Sequence, residues 1–237
     1  MHVSQLHYLP LSLPFFLLLV LAFVALVVYI ELRALHYAFA RAGIGAYSVL
    51  FFLLASLIGS SINIPIAELP GQNVVSGEHI MFFGMEYTVP VVVQWPGTIV
   101  AINVGGAVIP ILLSLYLLLK YDLWISGVIA TACVAFIAHL LATPVHGVGI
   151  AEPIFVPPIA AAIVSVIISR AYAAPLAYIS GSMGVLIGAD LLNLDRVRGL
   201  GAPVASIGGA GTFDGIFLAG IIAVLLASFT LPSFESR

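Results

Sequence analysis

The chain has 237 residues, 62% of them hydrophobic and 7% charged. Soluble domains carry roughly 25% charged residues, so a water-exposed surface is excluded for most of this chain and the lipid bilayer is its expected partner. Seven Lys and Arg against ten Asp and Glu give a formal charge of −3; with no basic run, nucleic acid is not an expected partner.

Residues 11–30 are apolar throughout, about 20 residues, enough to cross a hydrocarbon core of ~30 Å. No Lys or Arg precedes them and the run is long for a signal peptide, so they read as a retained first span. Glu31, Arg33 and Arg41 follow. Residues 45–62 form a second span, ended by Asn63 and Pro65. Residues 63–98 change character. Pro65, Pro70, Gly71 and Asn73 punctuate them, and residues 74–82 and 85–93 are rich in β-branched and aromatic side chains around Phe83-Gly84. They predict an extramembrane β-hairpin inserted between spans two and three, a surface on which a membrane-protein partner could dock.

Residues 98–119 are the third span, and 124–142 the fourth, with His139 near its end. Cys133 lies within the fourth as a small apolar filler; as the sole cysteine it excludes an internal disulfide and a cysteine-built zinc site. Residues 143–153 connect to a short fifth span, 154–169, with Pro157-Pro158 in its first turn, where proline is tolerated. The sixth span, 175–193, holds Asp190 and Asn193; a polar link with Asp195, Arg196 and Arg198 leads to a seventh, from about 212 to 229. The predicted fold is therefore all-α, a single polytopic bundle over residues 1–237 with about seven spans. Arg33, Arg41, Lys120, Arg170 and Arg237 then fall on one side and Arg196 and Arg198 on the other, which puts the N-terminus outside and the C-terminus in the cytoplasm of a multi-pass cell-membrane protein.

Acids and broken backbone at membrane depth usually line a cavity or a site. Gly208, Gly209 and Gly211 precede Thr212 and Asp214 at the mouth of the last span. Asp190 ends one arm of a helical hairpin and Asp214 opens the other, so the two carboxylates can meet. Close carboxylates in low dielectric share a proton and can activate water against a peptide or ester carbonyl. The structural alternatives are a first-turn acid at Asp214 behind a Thr212 N-cap, and pairing of Asp190 with Arg196 or Arg198. His139, His146 and Glu152 are weak metal candidates, since their spacing is not that of a two-histidine helix motif. No cofactor is expected.

The run Asn103-Val104-Gly105-Gly106-Ala107 resembles Ser206-Ile207-Gly208-Gly209-Ala210. Each opens an odd-numbered span. Paired glycine-interrupted segments can mark discontinuous helices around a substrate, as in a transporter or channel for a small solute or ion. The alternative is close packing, as for the stripe Gly181, Gly184, Gly188. A structural or accessory membrane subunit is a third possibility.

The strings INVGGAVIP, PVHGVGIAEP, IGADLLNL and SIGGAGTFDGIFLAG together resemble the domain of unknown function family numbered 1614, integral membrane proteins of archaea and bacteria. That resemblance implies the membrane class and no activity. The acid placement also resembles presenilins and prepilin peptidases, implying an intramembrane aspartyl protease. In that group the second acid sits in GxGD, whereas here Asp190 ends Ile187-Gly188-Ala189-Asp190 and Asp214 ends Gly211-Thr212-Phe213-Asp214.

Overall fold

The computed structural model describes residues 13–71, 73–82, 85–94, 97–145, 149–197, 202–209 and 215–229. Its first helix, α1 (Leu13–Arg41), does not stop at residue 30. No glycine or proline follows Pro14 until Gly43, so nothing breaks the helix where its charges begin. Gly43, at φ +79°, ends it, with the Ile44 N–H donating to Phe39 O at 2.9 Å. From residue 14 to residue 30 α1 is exposed; only near Ala38, Phe39 and Ala42 does it enter the core.

Helix α2 (Ala46–Gly59) leads into β1 (Asn63–Leu69), and β2 (Asn73–Phe82) and β3 (Met85–Gln94) follow. The last two pair antiparallel from Asn73↔Gln94 to Phe82↔Met85, on the stretches the β-branched residues predict. The third span begins differently from the expectation. Residues 98–103 are not helix but β4 (Thr98–Asn103), antiparallel to β1. Its TIVAIN sequence is dominated by β-branched residues, which suit a pleated ladder better than a helix. A π-helical turn, Val104–Val108, then opens α3 (Ile109–Tyr121). It lies where two glycines weaken regular helix and where Pro110 has no N–H to return to the preceding turn.

Helix α4 (Trp124–Leu141) is followed by a small hairpin, β5 (Thr143–Val145) and β6 (Gly149–Ala151), then α5 (Val156–Ile168) and α6 (Ala173–Val185). Helix α6 is the axis of the bundle, buried along nearly its whole length. An added Cβ at Gly184 would lie 2.6 Å from Val134, and one at Gly188 2.3 Å from Ala135 O, so the glycine stripe is a packing face toward α4. Strand β7 (Val204–Ile207) runs parallel to β4, giving the sheet order β1-β4-β7, and α7 (Gly215–Phe229) closes the fold.

The chain is thus mostly helical, with three small sheets among the described residues where one hairpin is expected. All the strands connect helix ends on one side of the bundle. At the other end Lys120 donates to Gly43 O, Arg41 donates to Ser228 O, and Tyr121 faces Tyr172. The expectation of seven spans is not met by length. Among the described residues four helical stretches are long and apolar enough to cross a membrane: Pro14–Arg41, Val104–Tyr121, Trp124–Leu141 and Ala173–Asn193. Helices α5 and α7 are apolar but shorter, and at 1.5 Å per residue they rise only about 20 Å against a core of ~30 Å. The set is compatible with an integral membrane protein.

Candidate functional site at the end of helix α6

Helix α6 does not end cleanly. It widens into a π-helical turn, Leu186–Asp190, and then tightens into a 3₁₀ turn, Leu191–Asn193. Frayed helix ends leave carbonyls without partners. Asn193, fully buried, folds back to supply them: its Nδ2 donates to Gly188 O at 2.8 Å and to Ala189 O at 2.9 Å. This fixes the turn that carries Asp190.

Asp190 Oδ2 accepts a hydrogen bond from the Gly208 N–H, 2.7 Å away and 18 positions along the chain. Gly208 is required there on two grounds. Its φ is +88°, and an added Cβ would stand 2.6 Å from the Ala107 N. The two glycine-containing segments that resemble one another therefore touch, Gly208 against Gly106 and Ala107, just where the parallel strands β4 and β7 end.

The first segment is held by Asn103, fully buried. Its Oδ1 accepts from the Gly106 N–H at 2.8 Å, and its Nδ2 donates to Ser60 O at 2.7 Å and to Asn63 Oδ1 at 3.1 Å. The Ser206 hydroxyl lies 2.7 Å from Asn63 Oδ1 and also within reach of Gly209 O; with one proton, it donates to either. Gly105 packs directly on Ser56 and Ser60.

Two cavities meet at Asp190. The first, of about 260 Å³, is lined by Asp190, Gly149, Ile150, Ser206 and Gly209 together with the rest of β7. The second, of about 220 Å³, is lined by Asp190, Ile150, Glu152, Pro157, Gly215 and Ala219. Beneath them Val100, Ala107, Val185, Ala189, Ile207 and Ile216 form an apolar floor that ties strands to helix ends. A carboxylate with one oxygen fixed by a backbone amide and cavities on either side is equipped to hold a cation, a proton or a polarised carbonyl.

Of the sequence-derived site residues, the structure brings Asp190 and Gly209 to the cavities, ties Gly208 to Asp190 through its N–H, and sets Asn193 behind the turn that carries Asp190. Asn103, Gly105 and Gly106 line neither cavity; their groups are spent on packing and capping. Gly211, Thr212 and Asp214 lie outside the described residues, so the separation of the two acids does too. Glu152 faces the second cavity, His139 lines neither, and His146 lies outside the described residues. Among the described residues no three His, Cys, Asp or Glu side chains gather as metal ligands. Arg198 is outside the described residues; the hydrogen bond that Asp190 makes among them is the one to Gly208. The sequence reading missed Ile150 and the outward side of β7. Short β-branched runs beside glycine were the signal available for both.

Comparison with known proteins covers most of these elements. The family described as Protein of unknown function (DUF1614) matches residues 57–226, well over half of the chain. The chain belongs to this family. The DUF1614 region contains all four of the strings that carry the resemblance and every residue named as lining the two cavities, and it leaves out α1. No curated protein and no solved structure matches. Membership in DUF1614 assigns no activity, and the likeness to presenilins and prepilin peptidases rests on acid placement alone.

Proposed function

We propose that this membrane protein is an intramembrane hydrolase in which Asp190 and Asp214 together activate water. The observation that carries the reading is that Gly215, the next residue after Asp214, lines the same cavity of about 220 Å³ as Asp190. With one acid ionised and the other protonated, the ionised carboxylate takes a proton from water as the water oxygen bonds to the substrate carbonyl carbon. The protonated acid gives its proton to the carbonyl oxygen. Collapse of that intermediate breaks the C–N or C–O bond: the leaving atom takes the proton that the first acid gained from water, and the second acid recovers one from a hydroxyl of the intermediate, so one water is consumed and both acids are restored. Gly208 supports this role by engaging one oxygen, Oδ2, of an acid that lines both cavities. Gly209, Gly211 and Thr212 are the proposed substrate contacts beside it, while Asn193, Asn103, Gly105 and Gly106 brace the wall. The clustering of Arg41 and Lys120 at the end away from the strands supports a cytoplasmic location for that end and an external site.

The sharing of Asp190 and Ile150 by both cavities favours a second reading, a path for a small solute or ion with Asp190 midway. One pair of assays separates the two. The full chain in detergent is given a set of apolar peptides carrying quenched fluorophores, and the same protein in vesicles is tested for solute leakage. Hydrolysis is expected, and Asp190→Asn or Asp214→Asn should each slow it about a hundredfold or more while the protein stays folded. Undiminished cleavage in either variant removes the hydrolase; leakage that depends on Asp190, without cleavage, establishes the path instead.

A further inference from the structure

The cavity of about 260 Å³ is lined by two strands that, among the described residues, each lack a neighbour on that side. Among the described residues, strand β7 is the outer strand of its sheet. The Ile99 N–H donates to Pro203 O at 3.0 Å, and Ile99 stands opposite Val204 and Ala101 opposite Ser206. In a parallel ladder of that register, Val204 and Ser206 turn their backbone groups away from β4. The Ser206 carbonyl accepts from the Gly209 N–H at 3.2 Å. That leaves the Val204 N–H and C=O and the Ser206 N–H directed at the cavity side.

Strand β6 presents a matching edge. Ile150 stands opposite Pro144, which has no N–H, so the two cannot exchange backbone hydrogen bonds. They form the pair whose N–H and C=O groups turn outward, and Ile150 is a lining residue of both cavities. Two strand edges whose donors and acceptors are unspent among the described residues therefore border one cavity, and Asp190 borders it as well. Unpaired backbone groups along a strand edge are a ready template for another chain. An intact helix satisfies its own backbone and has nothing to offer these edges. An extended chain has a donor and an acceptor on each side at alternate residues.

We propose that this cavity is a peptide slot, in which substrate enters as an added strand between β6 and β7 and so reaches Asp190 in extended form. Cleavage of the bound segment rests on the hydrolase reading; the binding itself does not. The substrate class is thereby narrowed to a polypeptide segment that can leave its helix near the membrane surface, where glycine or β-branched residues weaken it. A lipid ester lacks the amide donors to use the slot.

The test uses the full wild-type chain in micelles and a short apolar peptide whose central amide is replaced by a hydroxyethylene unit, so that it cannot be cut, with a photo-crosslinker at one end. Methylating single peptide nitrogens removes one donor at a time without touching the protein. Capture is expected to fall about tenfold at the positions within the slot, the loss of one backbone hydrogen bond, and to be unchanged beyond them. Val204→Pro deletes an outward N–H while leaving the β4 ladder its donors, and should weaken capture to a similar extent. A flat methylation scan overturns the slot. So does equal capture of a side-chain-stapled helical form, or failure to capture any peptide because the chain's own residues fill the space. The two readings fail separately: patterned capture without cleavage of any cuttable peptide removes the hydrolase and keeps the slot, and cleavage with a flat scan does the reverse.

Discussion

At the residue scale the fold turns on small groups in demanding positions. Gly208 combines a left-handed backbone with contact against Ala107, and it gives its N–H to Asp190. Gly208→Ala keeps the donor but adds a methyl at a φ of +88° and against backbone 2.6 Å away. The expected loss is about 2–3 kcal/mol, read as a lower midpoint of denaturation in detergent. An unchanged midpoint would mean that the turn after β7 does not press on Ala107. Asp190 was legible in the sequence because an acid inside an apolar span needs a reason. Its partner was not, since an amide hydrogen bond leaves no mark in side-chain identity. The sequence offers Arg196 or Arg198 in the following link, where charge is visible; among the described residues Asp190 is held by a glycine amide, and Arg198 lies outside them. Asn103 and Asn193 were legible as buried polar residues; the structure engages Asn193 with the carbonyls of its own helix end and Asn103 with Gly106 of its own turn and with Ser60 and Asn63.

At the scale of elements the apolar helices were easy to find, and their ends were not. Residues 124–142 read as a span and fold as Trp124–Leu141. By contrast, TIVAIN and VASI are apolar enough to pass for the starts of spans, and only pairing between distant segments makes them strands. No local pattern announces a parallel partner. The glycine stripe on α6 was readable as packing, and the structure puts Gly184 and Gly188 against α4. Gly188→Ala places a methyl 2.3 Å from Ala135 O, backbone that cannot swing aside. It should destabilise the protein by about 1–3 kcal/mol and shift the π-helical turn that carries Asp190, so both the denaturation midpoint and the hydrolysis rate are expected to fall. Gly45→Ala, at a position with nothing within 4 Å of an added Cβ and away from both cavities, is the neutral comparison. Equal behaviour of the two variants would show that the stripe is not a tight contact.

On the scale of the whole molecule, strands collect at one end of the bundle and Arg41 and Lys120 at the other. The proposed orientation is testable in a Cys133→Ala background with single cysteines at the two ends. Ile154→Cys lies beyond β6 and is 64% exposed; Gly45→Cys lies in the turn before α2, with open space around it. A membrane-impermeant maleimide should label Ile154→Cys in intact cells and Gly45→Cys only after permeabilisation. The opposite pattern would place the cavities in the cytoplasm.

The ladder that joins Ile102 to Ile207 has a further consequence for how the protein comes into being. Partners roughly a hundred residues apart meet late, because the intervening chain must be made and placed first. During synthesis α6 reaches the membrane with its aspartate untethered, for Gly208 has yet to leave the ribosome. Only when the final helix arrives does the acid gain its amide and the rim of strands close, so a newborn chain cut short before that point carries an acid without the architecture that holds it.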